Sequence, residues 1–159
     1  LGSRGLGDVY KRQARTHAVG EVSEEAKKLI QVTKECFFEG IKYAKAGNHL
    51  FDISGAIGRY AEERGYGVVR DLCGHGIGTA LHEAPEIPNY EVGRKGVKLR
   101  PGMTLAIEPM INIGTYEVDW LDDDWTVVTR DGSLSAHYEN TILITEGEPR
   151  ILSLTCDNE

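Results

Sequence analysis

Cysteine is scarce in this sequence, and its spacing excludes two common structural uses. Cys36, Cys73 and Cys156 are odd in number, lie far apart and include no CxxC pair. A disulfide framework and a structural zinc knuckle both need paired or closely spaced cysteines. We therefore predict a protein of the reducing cytoplasm.

Long apolar runs and an excess of basic charge are also missing. No stretch approaches the roughly 18 apolar residues that a membrane-spanning helix needs, and the N-terminus lacks the apolar core of a signal peptide. Acidic residues outnumber basic ones by 25 to 18, which gives a formal net charge of −7. Direct binding to nucleic acid or to an anionic membrane is therefore not expected.

The composition that is present suits one globular domain. The chain has 159 residues, of which 40% are hydrophobic and 27% charged, with 19 Gly and only 5 Pro. These values are poor fits to collagen-like, disordered and coiled-coil proteins. The length is sufficient for a single domain with a buried core.

The segment from Leu1 to Gln13 differs from the rest of the chain. It reads LGSRGLGDVYKRQ, has no initiator Met and holds more basic than acidic residues. It shows neither helical nor strand periodicity and resembles translated cloning or sequencing adaptor, with a native flexible leader as the alternative. We predict that residues 1–13 are an adaptor-derived or disordered leader and that residues 14–159 hold the folded part.

Two helices are predicted ahead of a group of strands. Apolar residues at three- and four-residue spacing predict a first helix of about 23 residues, with Ser23 as N-cap and Gly47 at its end. A second helix is predicted from Asp52 as N-cap to Gly65. Strands are predicted at 68–69, 104–111, 126–129, 135–145 and 151–154. This order predicts an α+β fold, with the helices on one face of an antiparallel or mixed sheet.

The segment GHGIGTALHEAP contains two candidate histidines. Glycines on both sides of His75 let a ligand or another backbone approach closely. His82 follows seven residues later, without the HExxH spacing of a helical zinc pair. Either histidine alone is more often structural than functional.

The segment TLAIEPMIN places a carboxylate among apolar residues. Glu108 has apolar neighbours on both faces of the predicted strand. A buried carboxylate is costly unless a metal ion, a base or hydrogen bonds compensate it. The alternative is an edge strand that leaves Glu108 in water, which Pro109 permits.

The segment SAHYENTILIT offers a second carboxylate. Strand alternation places His137 and Glu139 on one face and the apolar residues on the other, and a solvated polar face is the alternative. Brought together from separate strands, His75, Glu108 and Glu139 would suit a catalytic divalent metal ion.

A nucleophilic cysteine is a further alternative. Cys73 lies two residues before His75, so strand alternation would place both on one side. A buried, unreactive cysteine is far more common, and we favour it here.

Four segments resemble the type I methionine aminopeptidases of the pita-bread metallopeptidase family. They are VGEVSEEAKKLI, GHGIGTALHEAPEIPNY, KLRPGMTLAIEPMINIGTY and DDDWTVVTRDGSLSAHYENTI, and the resemblance runs from about Arg15 to Ser153. The GHGIG and HEAP pieces are shared with proline dipeptidases and aminopeptidase P, so they indicate the fold better than the substrate. The stretch DDWTVVTRDGSLSA resembles the methionine aminopeptidases in particular.

The resemblance implies a fold and a metal centre. The fold is the pita-bread fold, a curved antiparallel sheet with helices on its outer face, of which residues 14–159 would be the C-terminal part. The centre holds two divalent metal ions, Co, Mn, Fe or Zn, on the inner face. By matching motifs, His75, Glu108 and the bridging Glu139 are ligands, and Glu108 is also the proton-handling carboxylate.

The resemblance also implies residues that contact the substrate. His82 matches a histidine that contacts the substrate peptide and helps to stabilise the tetrahedral intermediate. Leu81 and Trp125 match positions that line the methionine pocket. The implied activity is removal of the N-terminal methionine from nascent proteins by metal-activated hydrolysis.

The match fails where the family has two Asp ligands. One is expected at the position of Arg12, and the other within Leu1 to Gly7, where there is no Asp and from which Asp8 is out of register. At most one ion is therefore expected, and a guanidinium near the site would weaken cation binding further. Asn140 replaces a frequent His and is expected to matter little.

Three readings of function follow from this departure. The first is a methionine aminopeptidase whose activity is impaired in this chain, acting on N-terminal Met peptides and nascent chains, with the ribosome as a candidate partner and a monomeric state. The second is a relative that cleaves Xaa-Pro bonds. The third is a non-catalytic pita-bread module that binds peptides.

Overall fold

The computed structural model describes residues 10–154, so Asp8, Cys156 and the predictions made for residues 1–9 lie outside it. The described helices are α1 (Glu24–Ile41) and α2 (Leu50–Glu62). The described strands are β1 (Gln13–Arg15), β2 (Gly67–Val68), β3 (Gly74–Gly76), β4 (Glu83–Ile87), β5 (Thr104–Ile107), β6 (Met110–Asn112), β7 (Val118–Trp120), β8 (Val127–Thr129), β9 (Ser135–Leu143) and β10 (Arg150–Ile151). Neither described helix is long and apolar enough to cross a membrane.

An eight-stranded antiparallel sheet is built around β9. Its strands run in the order β2-β6-β9-β5-β3-β4, and β1 and β10 also pair with β9. Asn140 is opposite Ile107 of β5 and also opposite Gln13 of β1, so the middle of β9 has a neighbour on each side. β7 and β8 form a separate two-stranded hairpin. The predicted α+β class with an antiparallel sheet is confirmed.

The core lies between the two helices and one face of the sheet. Phe37 of α1 is fully buried, and its ring centroid lies 5.4 Å from that of Tyr138 on β9. The helices approach each other closely at Gly40, where an added Cβ would lie 2.5 Å from Cγ1 of Ile57. This packing leaves the opposite face of β9 for polar side chains.

Helix α1 begins as predicted and ends earlier. The Oγ atom of the N-cap residue Ser23 accepts a hydrogen bond from Ala26 N at 3.1 Å. The helix ends at Ile41 after 18 residues, because Ala44 N donates to the carbonyl three residues back, at 3.0 Å, in a tightened last turn. Ala44 is buried although it lies beyond the helix, so the apolar spacing continues past the last helical residue. The prediction of about 23 residues was therefore wrong at the C-terminal end.

Helix α2 begins before the predicted N-cap. His49 is the N-cap, and Asp52 is the third helical residue, whose Oδ2 accepts a hydrogen bond from His49 N at 2.8 Å. The prediction of Asp52 as N-cap was wrong, because a carboxylate in the first turn can satisfy the cap residue from inside the helix. Gly65 lies beyond the helix end at Glu62, in the turn that follows, with φ +81°.

The predicted strands are found in place but not at full length. The run predicted at 104–111 is divided into β5 and β6 at Glu108 and Pro109, since proline has no N–H to donate to a neighbouring strand. The long strand ends at Leu143, and the last strand is confined to β10. Strands β1, β3, β4 and β7 were not predicted, because short segments such as Gly-His-Gly carry no strand propensity of their own.

Residues 10–13 lie against the sheet. Tyr10 N donates to Gly78 O at 2.9 Å, and Arg12 N donates to Thr141 Oγ1 at 2.9 Å. Gln13 is the first residue of β1. The boundary proposed after residue 13 therefore falls inside a strand, and these four residues pack with the fold; the origin of the segment stays a prediction.

Candidate metal centre

Three predicted ligands converge on the face of the sheet opposite the helices. One ligand atom from each of His75, Glu108 and Glu139 lies within 4.8 Å of the others, and all three residues are buried. Glu108 is only 6% exposed. The edge-strand alternative for Glu108 was therefore wrong, and the structure favours a compensated, buried carboxylate.

The register of the sheet brings these residues together. His75 is opposite Ala106, and Ala106 is opposite Thr141 of β9. Cross-strand partners share a face, and so do residues two apart on one strand. His75 therefore shares the face of Glu139, while Glu108 follows the end of β5 at the break before β6.

The two glycines beside His75 allow the strands to approach. A Cβ built on Gly74 would meet the carbonyl oxygen of Ala106, and one built on Gly76 would meet the carbonyl oxygen of Ala84. Both contacts are with backbone, which cannot move aside as a flexible side chain can. Glycine at both positions is what lets His75 sit between β4 and β5.

The tautomer of His75 is set by its own strand. Its Nδ1 lies 2.7 Å from Gly76 O. A carbonyl oxygen only accepts, so Nδ1 carries a proton, and in the neutral imidazole Nε2 then presents a lone pair. Nε2 is buried and has no hydrogen-bond partner among residues 10–154.

The donor set fits one divalent ion. His75 Nε2 lies 3.4 Å from Glu108 Oε1, and with the imidazole neutral both atoms are lone-pair donors that a shared cation would hold together. Two ligands about 2.1 Å from a shared tetrahedral ion stand about 3.4 Å apart. The spacing therefore suits a common metal ion, with the second carboxylate, Glu139, as the third ligand.

Glu139 is the most strongly perturbed carboxyl of the cluster. Burial, and then the neighbouring Glu108 carboxylate, raise the pKa of Glu139 to about 7, against the opposing charge of Arg12. Two buried carboxylates held together disfavour a second negative charge. A cation in the centre would remove this penalty.

Arg12 provides a positive charge within the centre. Its Nε lies 2.7 Å from Glu139 Oε1, and its Nη1 lies 3.1 Å from His82 Nε2. The first contact has the distance of an ion pair but not the angle of a hydrogen bond, so Glu139 Oε1 still lacks a directed donor within the described chain. The sequence left open whether Arg12 lies near the site, and the structure places its guanidinium there.

The predicted substrate residues are all exposed. The His82 ring centroid is 4.3 Å from that of His75, and His82 itself is exposed, so the structure brings it to the open side of the cluster. Leu81 is 41% exposed, and Trp125 is 85% exposed in the turn between β7 and β8. The structure leaves these two apolar side chains on the surface.

Two residues near the cluster have a larger part than the sequence indicated. His137 Nε2 lies 3.6 Å from Glu108 Oε2, although His137 was noted only as a neighbour on the face of Glu139. Asn140 is fully buried, and its Oδ1 accepts hydrogen bonds from Arg15 Nη2 at 2.9 Å and from Ser153 Oγ at 3.0 Å. Strand alternation in the sequence could have pointed to His137. No sequence pattern pointed to the buried hydrogen bonds of Asn140.

Cys73 does not have the surroundings of a nucleophile. Burial, and then the nearby charge of Glu86, raise the pKa of the Cys73 thiol. The reactive form is the thiolate, which both effects disfavour. The structure supports the unreactive reading of this cysteine.

A buried imidazole lone pair that meets two carboxylates on a sheet face is typical of a metal-dependent hydrolase. Comparison with known proteins agrees with this class. The chain belongs to metallopeptidase family M24, which it matches over residues 5–146. The predicted family is confirmed.

The most informative relatives are methionine aminopeptidases. The chain is 60% identical over 141 residues to the methionine aminopeptidase of Clostridium acetobutylicum, covering 89% of this chain and 56% of the relative. The crystal structure of the Thermotoga maritima methionine aminopeptidase superposes with a TM-score of 0.89 at 48% identity, covering 92% of this chain and 59% of that one. The chain thus spans little more than half the length of either, and the predicted pita-bread fold is confirmed.

A more distant likeness extends to enzymes named for proline substrates. The prolidase of Pyrococcus furiosus superposes with a TM-score of 0.67 at 26% identity, covering 94% of this chain and 37% of that one. Both the identity and the superposition are lower than for the methionine aminopeptidase. The fold is therefore shared beyond the proteins named methionine aminopeptidase.

Proposed function

We propose that this chain is part of a methionine aminopeptidase, an enzyme that removes the N-terminal methionine from nascent proteins. The convergence of the His75 lone pair with Glu108 and Glu139 carries the proposal. It is supported by 60% identity to a protein named methionine aminopeptidase. The substrates are N-terminal Met peptides and nascent chains.

His75, Glu108 and Glu139 are the residues that would hold the ion. Co, Mn, Fe and Zn all accept imidazole and carboxylate ligands. When bound, a divalent ion supplies Lewis-acid activation of water and of a peptide carbonyl. Three protein ligands are enough for one ion, and Arg12 stands where another ligand would be needed, so one is the most that we propose for this chain.

The remaining roles fall to residues around that position. We assign Glu108 as the carboxylate that would accept and return the proton of the attacking water, because it is the buried acid next to His75. His82 lies on the open side of His75 and is assigned to contact the substrate peptide. Leu81 and Trp125 are accessible apolar side chains, and we assign them to the methionine side chain.

The chain as sequenced is expected to have little or no activity. The guanidinium of Arg12 occupies the neighbourhood of Glu139, and a cation bound there must compete with it. The same ion pair favours a second candidate, a non-catalytic module that binds peptides without metal. The two candidates differ in whether binding of a Met peptide requires a divalent ion.

The proposed function is tested in a completed enzyme. Residues 14–159 are joined to the N-terminal portion of the Clostridium acetobutylicum relative, and release of Met from Met-Ala-Ser is measured with Mn²⁺. We expect turnover, and a loss of about 100-fold or more for His75→Ala, Glu108→Ala or Glu139→Ala. Near-normal activity in any of these variants would refute its assignment as a ligand.

Parallel assays separate the other readings. Cleavage of an Xaa-Pro peptide in place of Met-Ala-Ser would favour the prolidase-like alternative. An inactive chimera that binds Met peptides equally with and without Mn²⁺ would favour the non-catalytic module. The described cysteines, Cys36 and Cys73, are free thiols, which supports a cytoplasmic location; a monomeric state and contact with the ribosome stay predictions.

A further inference from the structure

The Glu108 carboxylate lies between two imidazoles. His75 Nε2 is 3.4 Å from Oε1, and His137 Nε2 is 3.6 Å from Oε2. Both ring nitrogens are buried and have no hydrogen-bond partner in the described part of the chain. One oxygen of Glu108 therefore faces the proposed ligand, and the other faces a second histidine that has no assigned role.

The side chain of Thr16 forms hydrogen bonds with both the backbone N–H and the backbone carbonyl of His137. The N–H of His137 donates to Thr16 Oγ1 at 2.8 Å, and its carbonyl oxygen accepts from the same hydroxyl at 3.1 Å. On the other side, His137 is opposite Met110 of β6, the strand that starts two residues after Glu108. The backbone of His137 is thus held beside Glu108 by Thr16, which follows β1, and by β6.

The chemistry of a ligating carboxylate calls for such a neighbour. One oxygen binds the metal, and the other is commonly held by a hydrogen bond, which fixes the orientation of the group. Such outer partners affect metal affinity by about 10- to 100-fold. An imidazole Nε2–H can donate this hydrogen bond whether or not the ring is charged.

We propose that His137 is a positioning residue, which holds Oε2 of Glu108 and thereby aims Oε1 at the ion shared with His75. The inference rests on the proposed metal site. The separation of 3.6 Å is longer than a hydrogen bond, and hydrogen bonds of this kind tighten when the site is filled. His137 itself stays outside the ligand set.

Mn²⁺ affinity of the whole chain tests this role. Electron paramagnetic resonance distinguishes bound from free Mn²⁺ and is applied to wild type, His137→Leu and His137→Gln. The same three proteins are measured with Arg12→Ala added, because the Arg12 guanidinium competes with a cation at Glu139. We expect His137→Leu to weaken binding about 10- to 100-fold. His137→Gln retains an N–H donor and should stay within about threefold of wild type.

Matched variants separate positioning from loss of structure. His17→Leu makes the same change at an exposed histidine and should leave Mn²⁺ binding unchanged. Urea unfolding without metal should place His137→Leu and His137→Gln at similar midpoints. Equal Mn²⁺ affinity in His137→Leu and wild type, or equal damage by Leu and Gln, overturns the proposal.

A direct-ligand role is the competing reading, and nitrogen coupling distinguishes it. With Cu²⁺ as the probe, His137→Gln should leave the number of coupled imidazole nitrogens unchanged, whereas loss of one nitrogen overturns the positioning role. If His75→Ala abolishes Mn²⁺ binding while His137→Leu binds Mn²⁺ as tightly as wild type, this inference fails and the metal site stands. If His75→Ala binds Mn²⁺ as wild type does, the metal site fails and this inference with it.

Discussion

The guanidinium Nε of Arg12 lies 2.7 Å from Oε1 of the fully buried Glu139. Glu139 is one of three ligands that the donor set offers to a cation, and in this chain a side chain supplies that positive charge. Backbone hydrogen bonds with Thr141 hold Arg12 in place: Arg12 N donates to Thr141 Oγ1 at 2.9 Å, and the same hydroxyl donates to Arg12 O at 3.1 Å. Competition between this guanidinium and a metal ion follows from the geometry.

Removal of the Arg12 charge should strengthen metal binding. Arg12→Ala takes away a positive charge next to a ligand, so we expect Mn²⁺ to bind about tenfold more tightly or better, as titration calorimetry would measure. Lys11→Ala is the matched control, since it removes an equal charge from the exposed neighbour, whose Nζ contacts Leu152 O. Equal affinities for Arg12→Ala and wild type would show that the ion pair does not compete.

Glu139 should make the stability of the metal-free protein depend on pH. Its folded pKa is about 7, above the ordinary value of 4.5. Stability from such a group is fully present below its unfolded pKa and is lost as pH rises through the folded pKa. Between pH 4.5 and 7 we therefore expect the unfolding free energy of wild type to fall relative to that of Glu139→Gln. Urea unfolding at both ends of this range measures the difference.

The control for this titration is an exposed carboxylate. Glu148→Gln changes a surface residue that pairs with Lys45 and should keep the pH dependence of wild type. If Glu139→Gln kept it as well, the buried carboxyl would not be its source.

Gly74→Ala should disturb both stability and the metal centre. The added Cβ meets the backbone carbonyl of Ala106, so β3 must move away from β5 and carry His75 with it. We expect a loss of about 1–3 kcal/mol of unfolding free energy, with weaker Mn²⁺ binding. At Gly147 an added Cβ meets nothing within 4 Å, so Gly147→Ala should be near neutral in both measurements. Loss of stability with unchanged Mn²⁺ affinity would mean that His75 tolerates the shift.

Asn140→Ala should destabilise the fold, although the sequence suggested a minor residue. The change removes the acceptor of Arg15 Nη2, which is partly buried, and of Ser153 Oγ, which is buried. Leaving a buried donor unpaired costs about 1–3 kcal/mol. Thermal unfolding measures the loss. Asn48→Ala removes an exposed hydrogen bond to Tyr43 O and should cost clearly less. If both variants lost the same stability, Asn140 would matter as little as the sequence suggested.

The sequence predicted the elements with strong local signals. Ser23 with an apolar stripe behind it identified the start of α1, and alternation along 135–145 identified β9 and the face of Glu139. The end of α1 was not predictable, since apolar spacing continues through a turn whose backbone has already tightened. The short strand that carries His75 was also missed, because its pairing depends on glycines that fit against two neighbouring carbonyls.

The candidate site shows the same division. Residue type and strand alternation predicted His75, Glu108 and Glu139, and the resemblance to a known family added His82. The sequence did not predict contacts between residues far apart in the chain, namely Arg12 with Glu139 and His137 with Glu108. Such pairs depend on the register of β1, β6 and β9, which no local pattern specifies.

Strand β9 pairs with four other strands and also carries Glu139. A divalent ion that binds at Glu139 would bind the folded sheet and not the unfolded chain, so its binding free energy would add to global stability. Saturation at 100 times the dissociation constant is worth about 2.7 kcal/mol. The supply of divalent ions in the cell would then govern how long this chain survives proteolysis, independently of any turnover.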